Sequence, residues 1–204
     1  MSEAHSALFE RLERLFHAGS HVGSIGLRDD SAWAPPELRP AAVLIAVTDR
    51  PDPGVLLTHR PDSMPSHPGQ VAFPGGKLEP GEDAVAAALR EAREELAIDP
   101  GVVRIVGTSE SFVTGSGFTL TPVLGLVPPD LAIVPEPREV ASWFEAPLRF
   151  VLDQANHVTK VGLFRGHERE YTEIDWQGHR IWGITASILS NLSHRMAWQE
   201  LVDG

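Results

Sequence analysis

Gly75-Gly76-Lys77-Leu78-Glu79-Pro80-Gly81-Glu82, resumed at Arg90-Glu91-Ala92-Arg93-Glu94-Glu95-Leu96-Ala97-Ile98, is the most sharply patterned stretch of the 204-residue chain. From 83 to 97 apolar residues recur at helical spacing. At about 100° per residue, Val85, Ala88, Leu89, Ala92 and Leu96 share one stripe, predicted to face a core. Glu91, Glu94 and Glu95 fall on an adjacent arc. Glu91 and Glu95 stand four apart, a like-charge spacing that destabilises a helix by about 0.2–0.5 kcal/mol. Neither has a basic residue three or four positions away within the helix to relieve it.

A solvated acidic face, with Arg90 and Glu94 as an ordinary surface pair, is one reading. The entry to the helix favours another. A Phe73-Pro74-Gly75-Gly76 turn and a Pro80-Gly81 turn lead into it, and paired glycines admit backbone where a side chain would clash. A hard dication takes several oxygen ligands, and carboxylates at i, i+3 and i+4 offer them from one rigid element. This points to Mg²⁺ or Mn²⁺, with Glu91 and Glu95 as principal ligands and Glu94 as a further ligand or the base that activates water. A metal there would neutralise diphosphate oxygens and orient a water for attack on phosphorus.

These residues resemble the Nudix box, G-x5-E-x7-R-E-U-x-E-E-x-G-U with U aliphatic. Gly76, Glu82, Arg90, Glu91, Glu94, Glu95 and Ile98 match in register, and so many fixed positions at fixed spacing are a specific signal. The resemblance implies an α+β Nudix fold, a mixed β-sheet sandwiched between helices with a loop-helix-loop catalytic motif. It implies hydrolysis of a nucleoside diphosphate linked to another group, and an Arg90 that pairs with a glutamate, Glu82 being the candidate. Ala97 replaces the terminal glycine, so a left-handed cap there would be strained by about 1 kcal/mol or more. Ala92 is a small version of the aliphatic position.

Upstream, Leu56-Leu57-Thr58-His59-Arg60 and His67-Pro68-Gly69-Gln70-Val71-Ala72-Phe73-Pro74-Gly75-Gly76 are similar to the signature of the coenzyme A diphosphatase branch, as is Ile181-Trp182-Gly183-Ile184-Thr185-Ala186. The resemblance covers most of 41–192. It implies substrate contacts at Arg60, His67, Gly75 and Gly76, with Arg60 as a phosphate clamp. Where the branch carries Ser or Ala and a second arginine, this chain has Pro61 and Pro65. His67 has a plainer role open to it, stabilising its turn. Glu139 is a candidate extra carboxylate from outside the box or a surface glutamate. Thr114-Gly115-Ser116-Gly117 reads as a plain turn, and Trp182 as a packing residue that seats the last helix.

Beyond this segment, 2–18 carries the apolar spacing of an amphipathic helix, 41–47 and 55–59 read as a strand hairpin, and 102–108 and 118–127 as strands. Extended segments follow near 140–144, 158–164 and 170–176, then a closing helix at 184–201. Strands without regular strand–helix alternation indicate an α+β or sandwich-like arrangement, not a doubly wound sheet. The length suits one domain, 1–204, with a core from about 38 to 192. No cysteine is present, which excludes disulfides and thiolate sites. The formal net charge of -11 argues against nucleic-acid binding but not against a small polyanion held through cations. No signal-peptide pattern or long apolar run is seen, so the expectation is a cytoplasmic protein without membrane contact, acting on a small nucleotide-type substrate, with a homodimer left open. The competing functions are coenzyme A hydrolysis to adenosine 3',5'-bisphosphate and phosphopantetheine, Nudix hydrolysis of ADP-ribose, a dinucleotide or a noncanonical nucleotide, and a noncatalytic nucleotide-binding Nudix module.

Overall fold

The apolar run at 41–47 lies in the middle of a mixed sheet because its side chains alternate between two separate cores. A computed structural model describes residues 7–23, 25–27, 30–64, 67–164 and 166–202. Strand β1 (Arg39–Thr48) sends Ala41, Ile45 and Val47 to one core and Ala42, Leu44 and Ala46 to the other, the period of two expected of a strand buried on both faces. It pairs antiparallel with β2 (Gly54–His59), the predicted hairpin, and parallel with β7 (Phe118–Val127) along its whole length, from Arg39 opposite Phe118 to Thr48 opposite Val127. A parallel pair needs a crossover, and here the crossover carries β3 (Val71–Ala72), β4 (Gly75–Lys77), helix α2 (Ala84–Leu96), β5 (Arg104–Thr108) and β6 (Phe112–Val113). The sheet runs β3-β2-β1-β7-β5, with β4 on β1, β6 on β7, and β8 (Ser142–Pro147) on β2.

Helix α2 covers one face, packing Ala87, Ala88, Ala92 and Leu96 on Ala42, Leu44, Val123 and Val127. The other face is closed by α1 (Ala7–Ala18), α3 (Leu148–Leu152) and α4 (Gly183–Arg195). The expected mixed sheet between helices is therefore present. A second sheet of β9 (Val158–Phe164), β10 (His167–Trp176) and β11 (His179–Trp182) adjoins it, with β11 next to β3.

Several boundaries differ from expectation. The opening helix begins at Ala7, and positions 2–6 lie outside the described residues. Pro100–Val102 forms a tight 3₁₀ turn, so the strand after it starts at Arg104. The strand foreseen at 140–144 runs Ser142–Pro147. The closing helix is two, α4 and α5 (Gln199–Val202), because Met196 turns extended (φ -107, ψ 134) and buries its side chain, letting Leu201 fold back onto the same core. The α2 stripe is also rotated: Ala87 and Glu95 are buried, whereas Val85 and Leu89 are half-buried.

Candidate active site

Asp83 opens α2 by accepting a hydrogen bond from the Ala86 N–H at 2.8 Å, an N-cap. The helix closes at Ala97 in the left-handed region (φ 58, ψ 27), the conformation normally left to glycine. Between these ends Arg90 is a hub. It donates through Nε and Nη2 to both oxygens of Glu82 at 2.8 and 3.1 Å, and through Nη2 to the Lys77 carbonyl at 2.9 Å. Its Nη1 reaches Glu91 at 2.9 Å and Glu94 at 3.0 Å. The pairing with Glu82 is thus made, and the loop 77–82 is bound to the helix by one planar fork. The same bonds hold Glu82 below the usual carboxylate range, with the Glu79 N–H adding to the effect, and raise Arg90 above its ordinary value. Arg90 also relieves Glu91 from the adjacent position, which spacing alone did not reveal.

Glu91, Glu95 and Glu139 each bring a carboxylate oxygen within 4.8 Å of the other two. Glu139 comes from the loop after β7. That loop is tied to the end of α2 by the Val134 and Glu136 N–H groups, which donate to the carbonyls of Leu96 and Glu95, and to β2 by the Ala141 N–H on the His59 carbonyl. Glu94 stands apart: it is more than half exposed, engaged by Arg90, and outside the three-carboxylate group. Glu91 and Glu95, expected as principal ligands, are thus joined among the described residues by Glu139, the candidate extra carboxylate, while Glu94, expected as a further ligand or the base, lines the same cavity. The physical reason is that Glu91 and Glu95 share the inward side of α2 whereas Glu94 points along the rim.

The carboxylates are under electrostatic strain. Glu95 is only 5% exposed, and burial, with Glu91 and Glu139 beside it, pushes its carboxyl up to about 8. Glu91 is raised by burial too, against the pull of Arg90. A buried carboxylate between two others requires a proton or a cation, and three oxygens from two elements match the needs of a hard dication. The residues present therefore fit a divalent metal. Gly76 is fitted to the same place, since a Cβ on it would collide with the Glu91 carboxylate, and one on Gly75 would strike the β1 backbone.

A cavity of about 540 Å³ joins these groups to Arg60, His67, Gly75, Gly76 and Lys77. Arg60, at the end of β2, has a buried Nε with no hydrogen-bond partner. All the expected substrate contacts thus line one space. His67 holds a left-handed backbone (φ 55), and its carbonyl accepts from the Gln70 N–H at 3.3 Å, so both of its expected roles have a structural counterpart. Pro61 is buried, and Pro65 lies outside the described residues. Thr114 and Ser116 line the cavity, so their turn is more than a connection. Nothing in their composition distinguished them from an ordinary Gly-rich turn. Also unforeseen is a histidine pair, His59 Nε2 to His179 Nδ1 at 2.8 Å, which links β2 to β11.

The NUDIX domain family model matches residues 38–165. The uncharacterized Nudix hydrolase NudL of Enterobacter sp. (strain 638) is 44% identical over 156 residues, covering 76% of this chain and 81% of its own. NudL of Escherichia coli (strain K12) is 40% identical over 160 residues, with the same shares. Among solved structures, the Nudix hydrolase RenU of M. smegmatis is 26% identical with a TM-score of 0.49, covering 56% of this chain and 74% of that one. The chain belongs to the Nudix hydrolase family. It is a pyrophosphohydrolase, of a kind that acts on small nucleotide-type substrates and generally uses divalent metals. No helix among the described residues is long and apolar enough to cross a membrane.

Proposed function

We propose that the protein hydrolyses the diphosphate of coenzyme A or a derivative, giving adenosine 3',5'-bisphosphate and (acyl-)phosphopantetheine. The observation that supports this most is that Arg60, His67, Gly75 and Gly76, all from the signature of the coenzyme A branch, line one cavity with the carboxylates. Arg60, its Nε buried without a partner, is suited to a phosphate oxygen by its planar donors.

Glu91, Glu95 and Glu139 would hold Mg²⁺ or Mn²⁺, which when bound would neutralise diphosphate oxygens and lower the pKa of water. Arg90 keeps Glu91 in position and braces the Gly76 loop against α2. Glu94, the remaining carboxylate that lines the cavity, would accept a proton from an attacking water, with Arg90 holding its orientation. Gly76 leaves room for the Glu91 carboxylate, and Gly75 lets its strand lie close against β1.

Hydrolysis of ADP-ribose, a dinucleotide or a noncanonical nucleotide is the second reading. Pro61 and Pro65 favour it, since the arginine of the branch signature is missing. Mass spectrometry of products after incubation with coenzyme A and Mg²⁺ or Mn²⁺, with Glu95→Gln as control, decides between them. Adenosine 3',5'-bisphosphate formed only by the parent is the expected result. Intact coenzyme A beside cleaved ADP-ribose would establish the second reading.

A further inference from the structure

A second cavity, of about 430 Å³, opens between the 114–116 turn and the three-stranded β9–β11 sheet. It adjoins the carboxylate cavity, for His67, Gln70, Thr114, Ser116 and Ile184 line both. A diphosphate bound at the carboxylates would extend one of its substituents into it.

The walls are flat and aromatic. Tyr171 and Trp182 meet edge to face, centroids 5.9 Å apart at 62°. The Arg180 guanidinium carbon stands 4.8 Å from the Trp182 ring centroid, and its position is fixed by bonds to Glu173 at 2.6 Å and to the Tyr171 hydroxyl at 2.9 Å. Gly162 leaves the Tyr171 ring room to lie over β9, since a Cβ there would come within 3.1 Å of it. The charge also contrasts with the neighbouring site: Arg169 and Arg180 against Asp30 here, four glutamates against Arg60 and Lys77 there.

We propose that this second cavity is the nucleoside subsite, in which a purine base lies against Trp182 and Tyr171 while the diphosphate reaches the carboxylates. The inference rests on the reading of the chain as a hydrolase of a nucleoside diphosphate, and it holds for coenzyme A and ADP-ribose alike. A planar base gains from aromatic faces and a guanidinium plane. The exposed Ser116 hydroxyl, held by Thr114 at 3.0 Å, gives its edge a hydrogen-bond partner, which an aliphatic chain would desolvate without return. Trp182, which the sequence presents as packing, then has a face on substrate.

Calorimetric binding of adenosine 3',5'-bisphosphate and of phosphopantetheine, each alone, to the parent, Trp182→Leu and Tyr171→Leu tests this. Both variants are expected to bind the nucleotide about tenfold more weakly, the scale of one lost stacking partner, with phosphopantetheine unaffected. Trp182→Phe should restore most of the loss, and thermal melts matching the parent confirm folding. With whichever diphosphate the parent cleaves, KM should rise by a similar factor while kcat is retained. Undiminished nucleotide binding in folded variants overturns the subsite, and a loss confined to phosphopantetheine assigns the cavity to the other end of the substrate. If coenzyme A is untouched but ADP-ribose is cleaved with the same KM defect, the subsite stands and the coenzyme A reading fails.

Discussion

Glu95 lies near the C-terminal end of α2, where the helix dipole is negative, and it is buried beside two other carboxylates. Burial and its two carboxylate neighbours outweigh the Gly75 N–H and Arg60, which favour its charge. An element that tolerates this arrangement is built to receive a cation, so Glu95→Gln is expected to separate function from stability. Turnover should fall by orders of magnitude, because a charge on the metal is lost. Metal-free, the variant should melt at or above the parent near pH 8, because the amide needs neither proton nor cation. Turnover assays and melts with and without chelator check both, and near-normal turnover would remove Glu95 from the metal set. Two residues on, Ala97 holds φ 58 against its Cβ. Ala97→Gly should raise stability by about 1 kcal/mol with activity retained, measured by denaturant unfolding. Unchanged or lower stability would mean the cap is not strained.

At the scale of elements, the loop 77–82 and helix α2 act as one piece because Arg90 bonds to both. Arg90→Gln should lower kcat more than it raises KM for the diphosphate, and should speed protease cleavage within the 77–82 loop while leaving sites elsewhere unchanged; steady-state kinetics and limited proteolysis check it, and parent-like values in both would show that Glu82 and Glu91 hold their places unaided. This motif was legible in sequence because its spacing is dictated by one short helix. The hairpin of β1 and β2 and the strand at 118–127 were legible for a similar reason: alternating burial and turn residues at 49–54 leave a period-two trace. What escaped depended on contacts between distant segments. Glu139 was open in sequence as an extra carboxylate or a surface glutamate; its place beside Glu91 and Glu95 comes from the chain after β7 bonding back onto the end of α2, which no local pattern encodes. The His59–His179 pair and the aromatic wall at Tyr171 and Trp182 arise from how the second sheet meets the first. The break at Met196 was missed because helical periodicity continues through a residue that tertiary burial pulls extended.

For the whole molecule, the strained carboxylates and two half-buried histidines impose opposite pH dependences. Glu95 titrates near 8 folded against 4.5 as its ordinary value. The folded state therefore binds more protons than the unfolded one between those values, so metal-free stability from this group is full below about pH 4.5 and lost as pH rises through 8. His59 and His157 are lowered from 6.5 by burial, so their contribution is present above 6.5 and lost as pH falls below it. A divalent cation held as proposed would reverse the first trend alone. It would replace the proton on Glu95, so its binding would release a proton below pH 8 and tighten as pH rises. The rise in melting temperature on adding Mg²⁺ should then be small near pH 5.5 and largest near pH 8, whereas in chelator the alkaline side of the profile should sag, and Glu95→Gln should flatten it. Melting scans across pH in Mg²⁺ and in chelator measure all three curves. An Mg²⁺ effect equal at both ends of that range would show that no proton is exchanged for the metal, and would detach the cation from Glu95.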